Sequence, residues 1–146
     1  MSGHRFPCRV YFEDTDAAGL VYHANYLRFA ERARTEALRD LGVPHAVLME
    51  EHGLIFVVRR IKMDYLRVSR LDDSLEVITT VLAVGAAKAE LAQAIRRDEE
   101  TLVAAEVVLA CVRRDDGRPA RIPPRWRHAL RELAKGVGGR AKGAGG

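Results

Sequence analysis

The chain has 146 residues, of which 48% are hydrophobic, and a formal net charge of +4 at pH 7. This length and apolar content indicate one domain with a sizeable core, which we assign to residues 1–135. The first 30 residues contain no apolar segment of signal-peptide length, and no uninterrupted run of about 20 apolar residues occurs. These features exclude a transmembrane helix, and we expect a soluble, cytoplasmic protein.

Alternating polarity near the N-terminus predicts a half-buried strand. The inward positions are Phe6, Cys8, Val10 and Phe12. The alternation stops at Asp14, and Gly19 can adopt a positive φ, so a sharp turn is expected between these residues.

A long amphipathic helix is predicted next, because apolar residues recur at i, i+4, i+7, i+11 and i+15. These residues are Tyr26, Ala30, Ala33, Ala37 and Leu41. The alanines would let a sheet approach closely. The opposite face is charged, and there we expect Glu31 to form ion pairs with neighbouring arginines. Gly42 and Pro44 end the helix.

The junction of this turn and helix is the candidate site. Asp16 shortly precedes the positive end of the helix, whose first backbone N–H groups lie near His23 to Tyr26. A carboxylate can attack a carbonyl or activate water, and unpaired N–H groups can stabilise an oxyanion, so acyl transfer is plausible here. Asp14, Asp16 and His23 could also ligate a metal, but their spacing matches no standard metal-binding loop, and we predict none.

Four further strands follow the helix. A connector at residues 44–53, with a helical turn at 46–51, precedes them. Strands are predicted at residues 54–65, with a bulge at Arg59 and Arg60, and at 75–84, 86–97 and 102–113. Residues 86–97 favour a helix by propensity, although Ala89, Leu91, Gln93 and Ile95 alternate as in a strand.

The C-terminal part is basic. Residues 113–146 carry ten basic and three acidic residues, a net of +7, which leaves −3 for the preceding chain. Pro123 and Pro124 can open a short helix, and the Gly- and Ala-rich residues 136–146 are expected to form a flexible tail. The basic region either forms a solvated surface or attracts an anionic partner. That partner would be the phosphates of coenzyme A, nucleic acid or an anionic membrane.

Several motifs resemble those of a known family. They are Asp14-Thr15-Asp16, Gly19, Val21-Tyr22-His23, Asn25-Tyr26-Leu27, Glu31-Arg32-Ala33-Arg34, Phe56-Val57-Val58-Arg59, Arg70-Leu71-Asp72-Asp73 and Ala105-Glu106-Val107. Together they resemble the hotdog-fold acyl-CoA thioesterases, in the 4-hydroxybenzoyl-CoA thioesterase-like branch and its Tol-Pal-associated YbgC type. The resemblance covers about residues 10–124.

The resemblance implies an α+β hotdog fold, in which an antiparallel five-stranded sheet wraps around a long central helix. It favours a strand at residues 86–97. It also implies a homo-oligomer, a dimer or a dimer of dimers, with active sites at the subunit interface. Asp16 would be the catalytic nucleophile or general base, and His23 would polarise the thioester carbonyl through its backbone N–H or its ring. Some relatives have a tyrosine at the position of Phe12, so that hydroxyl is missing here.

Two function hypotheses follow. The first is hydrolysis of an acyl-CoA to a free acid and coenzyme A, with no cofactor other than the coenzyme A of the substrate. The second is a non-catalytic module that binds acyl-CoA or an acyl carrier protein. The joint presence of Asp16, Gly19 and His23 favours the enzyme, and the serines Ser2, Ser69 and Ser74 lie in no GxSxG motif. Nucleic-acid binding would depend on the basic C-terminus alone, and we do not predict it.

Overall fold

The computed structural model describes residues 3–134, which form five strands and three helices. They are β1 (His4–Arg9), α1 (Asn25–Asp40), α2 (His45–His52), β2 (Leu54–Tyr65), β3 (Ser74–Val84), β4 (Lys88–Arg97), β5 (Glu100–Arg113) and α3 (Pro124–Ala134). A 3₁₀ turn at Phe12–Asp14 precedes α1. No helix within these residues is long and apolar enough to cross a membrane. The tail predicted at residues 136–146 lies outside the described residues.

The strands form one sheet in the order β1-β3-β4-β5-β2, and every neighbouring pair is antiparallel. This confirms the predicted five-stranded antiparallel sheet. Residues 88–97 form a strand despite their helical propensity, because Ala89, Leu91, Gln93 and Ile95 turn alternately to the buried face. The predicted bulge in β2 is present between Val58 and Arg60.

Helix α1 packs against the sheet along its length. Its N-terminal half joins Tyr26, Phe29 and Ala33 to a core with β1, β3, β4 and β5. Its C-terminal half joins Ala37 and Leu38 to a second core, which α3 closes. The alanines predicted to face the sheet are fully buried, which confirms their side of the helix. The sheet and α3 therefore fix α1 and leave its N-terminus at one end of the domain.

The first strand is shorter than its alternating pattern predicts. It ends at Arg9, and the side chain of Phe12 is 80% exposed instead of facing the core. The chain bends because the Tyr11 N–H donates to the Asp14 carboxylate, and the Asp14 N–H donates back to the Tyr11 carbonyl. A local side-chain hydrogen bond thus replaces the sheet ladder at this point.

Candidate active site

The loop that carries Asp16 is a tight hairpin. Thr15 and Val21 form an isolated antiparallel bridge, and the Asp16 N–H donates to the Leu20 carbonyl at 2.8 Å. The Gly19 N–H donates to the Asp16 carbonyl at 2.9 Å, and Gly19 has φ +79°. Only a residue that tolerates this conformation can close such a short turn, which explains the glycine.

The Asp16 carboxylate has one occupied and one available oxygen. Oδ1 accepts hydrogen bonds from the N–H groups of Ala18, at 2.9 Å, and Leu20, at 3.3 Å. Within residues 3–134, Oδ2 has no hydrogen-bond donor, and the residue is exposed. The loop therefore orients the carboxylate and leaves one oxygen to meet a ligand.

Asp14 connects this loop to α1. Its side chain is only 5% exposed, and its Oδ1 accepts a hydrogen bond of 2.6 Å from Nδ2 of Asn25, the first residue of the helix. The Asp14 carbonyl also accepts from the Tyr22 N–H at 3.0 Å. Asp14 thus holds the Asp16 hairpin at the N-terminal end of α1.

The turn before α1 exposes backbone donors. The sequence placed His23 at the start of the helix. The helix instead begins at Asn25, so His23 lies two residues before it. The Asn25 N–H donates to the Tyr22 carbonyl at 2.8 Å, whereas the N–H groups of His23 and Ala24 have no acceptor in the part of the chain that the structure describes. These two donors add to the positive end of the helix dipole and could hold an anion.

The His23 ring is held by aromatic contacts. Its centroid lies 4.6 Å from that of Tyr22 and 6.1 Å from that of Tyr65, in an edge contact. Tyr65 also lies 5.9 Å from Tyr26, whose hydroxyl hydrogen-bonds to Ser69 at 2.7 Å. The sequence did not assign Tyr65 or Ser69 to the site. Tyr65 is the last residue of β2 and Ser69 lies in the loop that follows, and no motif in the sequence singles out either residue.

Two further expectations from the sequence concern Glu31 and metal binding. Glu31 forms no ion pair with any described residue, which corrects the predicted pairing, and it lines a cavity beside α1 instead. No three metal-ligating side chains cluster within residues 3–134.

Comparison with known proteins gives consistent matches. The family model described as the thioesterase-like superfamily matches residues 10–130. The chain is 44% identical over 132 residues to the acyl-CoA thioesterase YbgC of Haemophilus influenzae, covering 90% of this chain and 97% of that protein. It is 43% identical over 120 residues to the acyl-CoA thioester hydrolase YbgC of Escherichia coli O157:H7, covering 82% and 89%.

Solved structures share the fold. The "Probable Thioesterase" of Bartonella henselae superposes with a TM-score of 0.79 at 39% identity and covers 82% of this chain and 98% of its own. A 1,4-dihydroxy-2-naphthoyl-CoA thioesterase from Synechocystis gives a TM-score of 0.82 at 21% identity, with 89% and 96% coverage. At that identity the second likeness extends to the fold alone.

Proposed function

The chain belongs to the thioesterase-like superfamily and has the hotdog fold, and from this premise we propose that it hydrolyses acyl-CoA thioesters to a free acid and coenzyme A. The observation that carries the proposal is the Asp16 carboxylate, which the hairpin orients through Oδ1 while Oδ2 stays available. No cofactor is needed, because coenzyme A enters as part of the substrate.

Asp16 acts in one of two ways in this proposal. As a nucleophile, Oδ2 attacks the thioester carbonyl, the C–S bond breaks, and water hydrolyses the resulting anhydride. As a general base, Asp16 takes a proton from water, which attacks the carbonyl instead. In both routes the coenzyme A thiolate leaves and takes up a proton. A thioester needs little activation, since sulfur conjugates weakly with the carbonyl.

The oxyanion of either route is stabilised by the turn before α1. The available N–H groups of His23 and Ala24 supply donors, and the helix dipole adds positive potential. One well-placed donor of this kind contributes roughly 3 to 4 kcal/mol to transition-state stabilisation. The role assigned to His23 is therefore carried by its backbone.

The test measures free thiol release from a panel of acyl-CoA thioesters. Asp16→Asn is the informative variant, because an asparagine oxygen can still accept from Ala18 and Leu20 and so preserve the loop. We expect turnover to fall by roughly two to four orders of magnitude. Glu13→Gln is the matched control, since Glu13 is exposed in the preceding 3₁₀ turn. A wild-type protein that binds a thioester but releases no thiol would establish the binding-module alternative.

We also propose that a second copy of the chain covers the site, as part of a dimer or a dimer of dimers. The support is an exposed apolar segment next to Tyr65, formed by Leu66, Val68 and Leu71. Sedimentation equilibrium of the purified protein tests the assembly.

The proposal has two further parts. The substrate acyl group can be carried by acyl carrier protein instead of coenzyme A, and the protein is located in the cytoplasm. Activity on acyl-carrier-protein thioesters and cell fractionation test them.

A further inference from the structure

A channel runs along α1, away from the Asp16 loop. Its inner part is a cavity of about 290 Å³ with a mainly apolar lining. That lining includes Leu38, Phe56, Leu91, Leu109, Leu130 and Leu133. An adjoining cleft of about 300 Å³ shares Glu31, Arg34 and Val58 with this cavity and extends to Leu27, in the first turns of α1. The two spaces therefore connect the N-terminal end of α1 with the apolar interior.

Arg34 occupies a fixed position where the two spaces meet. Its Nη1 donates to Oε1 of Gln93 at 3.0 Å. Nε2 of Gln93 donates to the Ala30 carbonyl and to Oγ1 of Thr79, each at 3.0 Å. Gln93 is 2% exposed and Thr79 is fully buried. Because the Gln93 amide nitrogen is engaged twice, its oxygen must face Arg34, and the guanidinium is anchored to the sheet.

The anchored guanidinium has unused hydrogen-bonding capacity. Arginine has five N–H donors, yet the bond to Gln93 is the only one that Arg34 makes to a described residue. No carboxylate of residues 3–134 lies within ion-pair distance of it. Burial lowers the pKa of Arg34, and the charge of Glu31 partly opposes this effect. The side chain nevertheless stays protonated, since arginine does not lose its proton in proteins.

Among the described residues, Arg34 is the one arginine that lines both spaces. Arg28 and Glu31 also line the cleft, but both are exposed and carry opposite charges, so water screens them. A partly buried cation that no carboxylate contacts directly is costly, and an anionic ligand would lower that cost. A carboxylate is the natural partner, because it can accept two parallel hydrogen bonds from a guanidinium.

We propose that this channel receives the acyl chain of the substrate and that Arg34 binds a carboxylate at the distal end of that chain. The substrate class would then be the coenzyme A thioesters of dicarboxylic acids. Arg34 lies nine residues after Asn25, about 14 Å along the helix axis, so the chain must be of medium length to reach it from the oxyanion site. This inference rests on the proposed thioesterase function and deepens it.

The test compares two acyl-CoA thioesters with ten-carbon chains. One is decanoyl-CoA, and the other is its ω-carboxy counterpart, in which a carboxylate replaces the terminal methyl group. We expect wild-type kcat/KM to favour the ω-carboxy substrate by roughly tenfold to a hundredfold, the usual effect of a hydrogen-bonded charge. Arg34→Met should abolish the preference, so that the ratio of the two kcat/KM values falls to about one. Arg32→Met is the matched control and should keep the preference, because Arg32 is exposed on the same helix and lines neither space.

Two further variants separate the role of Arg34 from a loss of folding. Gln93→Leu leaves the charge but removes its anchor, and should weaken the preference. Arg34→Lys should retain part of it, since lysine keeps the charge but lacks the planar fork. Equal wild-type kcat/KM for both substrates, or an unchanged ratio in all Arg34 and Gln93 variants, would overturn the inference.

Failure of the proposed function gives a different result. If no thioester releases thiol, the dissociation constants of the same two compounds replace kcat/KM. Tighter wild-type binding of the ω-carboxy compound, lost in Arg34→Met, would support the channel without catalysis. Equal binding of the two compounds would overturn it.

Discussion

Asp14 and Asn25 are joined by a buried hydrogen bond of 2.6 Å, from Nδ2 of the amide to Oδ1 of the carboxylate. Eleven positions separate the two residues in the chain, and between them lies the complete Asp16 hairpin. This bond makes the position of the hairpin depend on the first residue of α1. Asp14 thus determines where Asp16, the proposed catalytic residue, lies.

We predict that Asp14→Ala and Asn25→Ala each lower the free energy of unfolding by about 1.5 to 3 kcal/mol, because each loses a hydrogen bond to a charged group. The double variant should cost clearly less than the sum of the two. Urea denaturation of the four proteins measures this coupling. Strictly additive losses would show that the two side chains act independently. Thiol release should also fall in all three variants, because each one frees the Asp16 hairpin from α1.

Replacing the His23 ring should have a moderate effect. His23→Ala removes the imidazole but keeps the backbone N–H that we assign to the oxyanion. We expect turnover to fall by less than about 100-fold, the lower end of what a general acid or base contributes. Thiol-release kinetics beside Asp16→Asn provide the comparison, with exposed His128→Ala as control. A loss as large as that of Asp16→Asn would instead give the ring a direct chemical role.

Much of this arrangement could be predicted from local sequence. The alanine stripe of α1 and the Gly19 turn each depend on residues close together in the chain. The local pattern of β4 left helix and strand open, and the family resemblance favoured the strand. Phe12 was the exception, because its strand pattern continued past the point where Asp14 captures the Tyr11 N–H. One side-chain hydrogen bond outweighed an alternation of polarity.

Contacts between distant residues were not predictable in this way. Tyr26 and Ser69 are 43 positions apart, and Arg34 and Gln93 are 59 apart. The alternation grouped Gln93 with Ala89, Leu91 and Ile95 on one face of β4, but it could not identify what a buried amide bonds to. Only the packing of α1 across β3 and β4 brings Arg34, Gln93 and Thr79 together. The pairing expected for Glu31 failed because helix spacing alone does not decide which neighbour a side chain meets.

The two cysteines should be unreactive in the native protein. Burial, together with the charge of Asp14, raises the pKa of the Cys8 thiol to about 11, although Arg32 acts in the opposite direction. Burial also raises the pKa of the Cys111 thiol. The thiolate is the reactive form, and at pH 8 only roughly one molecule in a thousand carries Cys8 as a thiolate.

Labelling with an aromatic disulfide reagent at pH 8 tests this prediction. The native protein should release almost no chromophore within the time of an assay, and the urea-denatured protein should release two equivalents. Cys8→Ala should leave one equivalent after denaturation. Rapid native labelling that disappears in Cys8→Ala would refute the prediction for Cys8.

Acid sensitivity should depend in part on His45, at the start of α2. Burial lowers the pKa of His45 below its ordinary 6.5, and Arg34 and Arg39 lower it further, while Glu31 opposes them. The unfolded chain therefore binds a proton at this residue more readily than the native protein does. Its contribution to stability is complete above about pH 6.5 and is lost as the pH falls below that value.

We predict that His45→Gln reduces the loss of unfolding free energy between pH 7 and pH 5, because glutamine cannot be protonated. Urea denaturation at several pH values measures the slope, and His128→Gln is the matched control, since the His128 side chain is 78% exposed. The sign is decisive. A native state that bound the proton more tightly than the unfolded chain would gain stability from His45 as the pH fell, and His45→Gln would then be more acid-sensitive than the wild type. A steeper loss in His45→Gln would therefore contradict the burial of an uncharged imidazole beside Arg34.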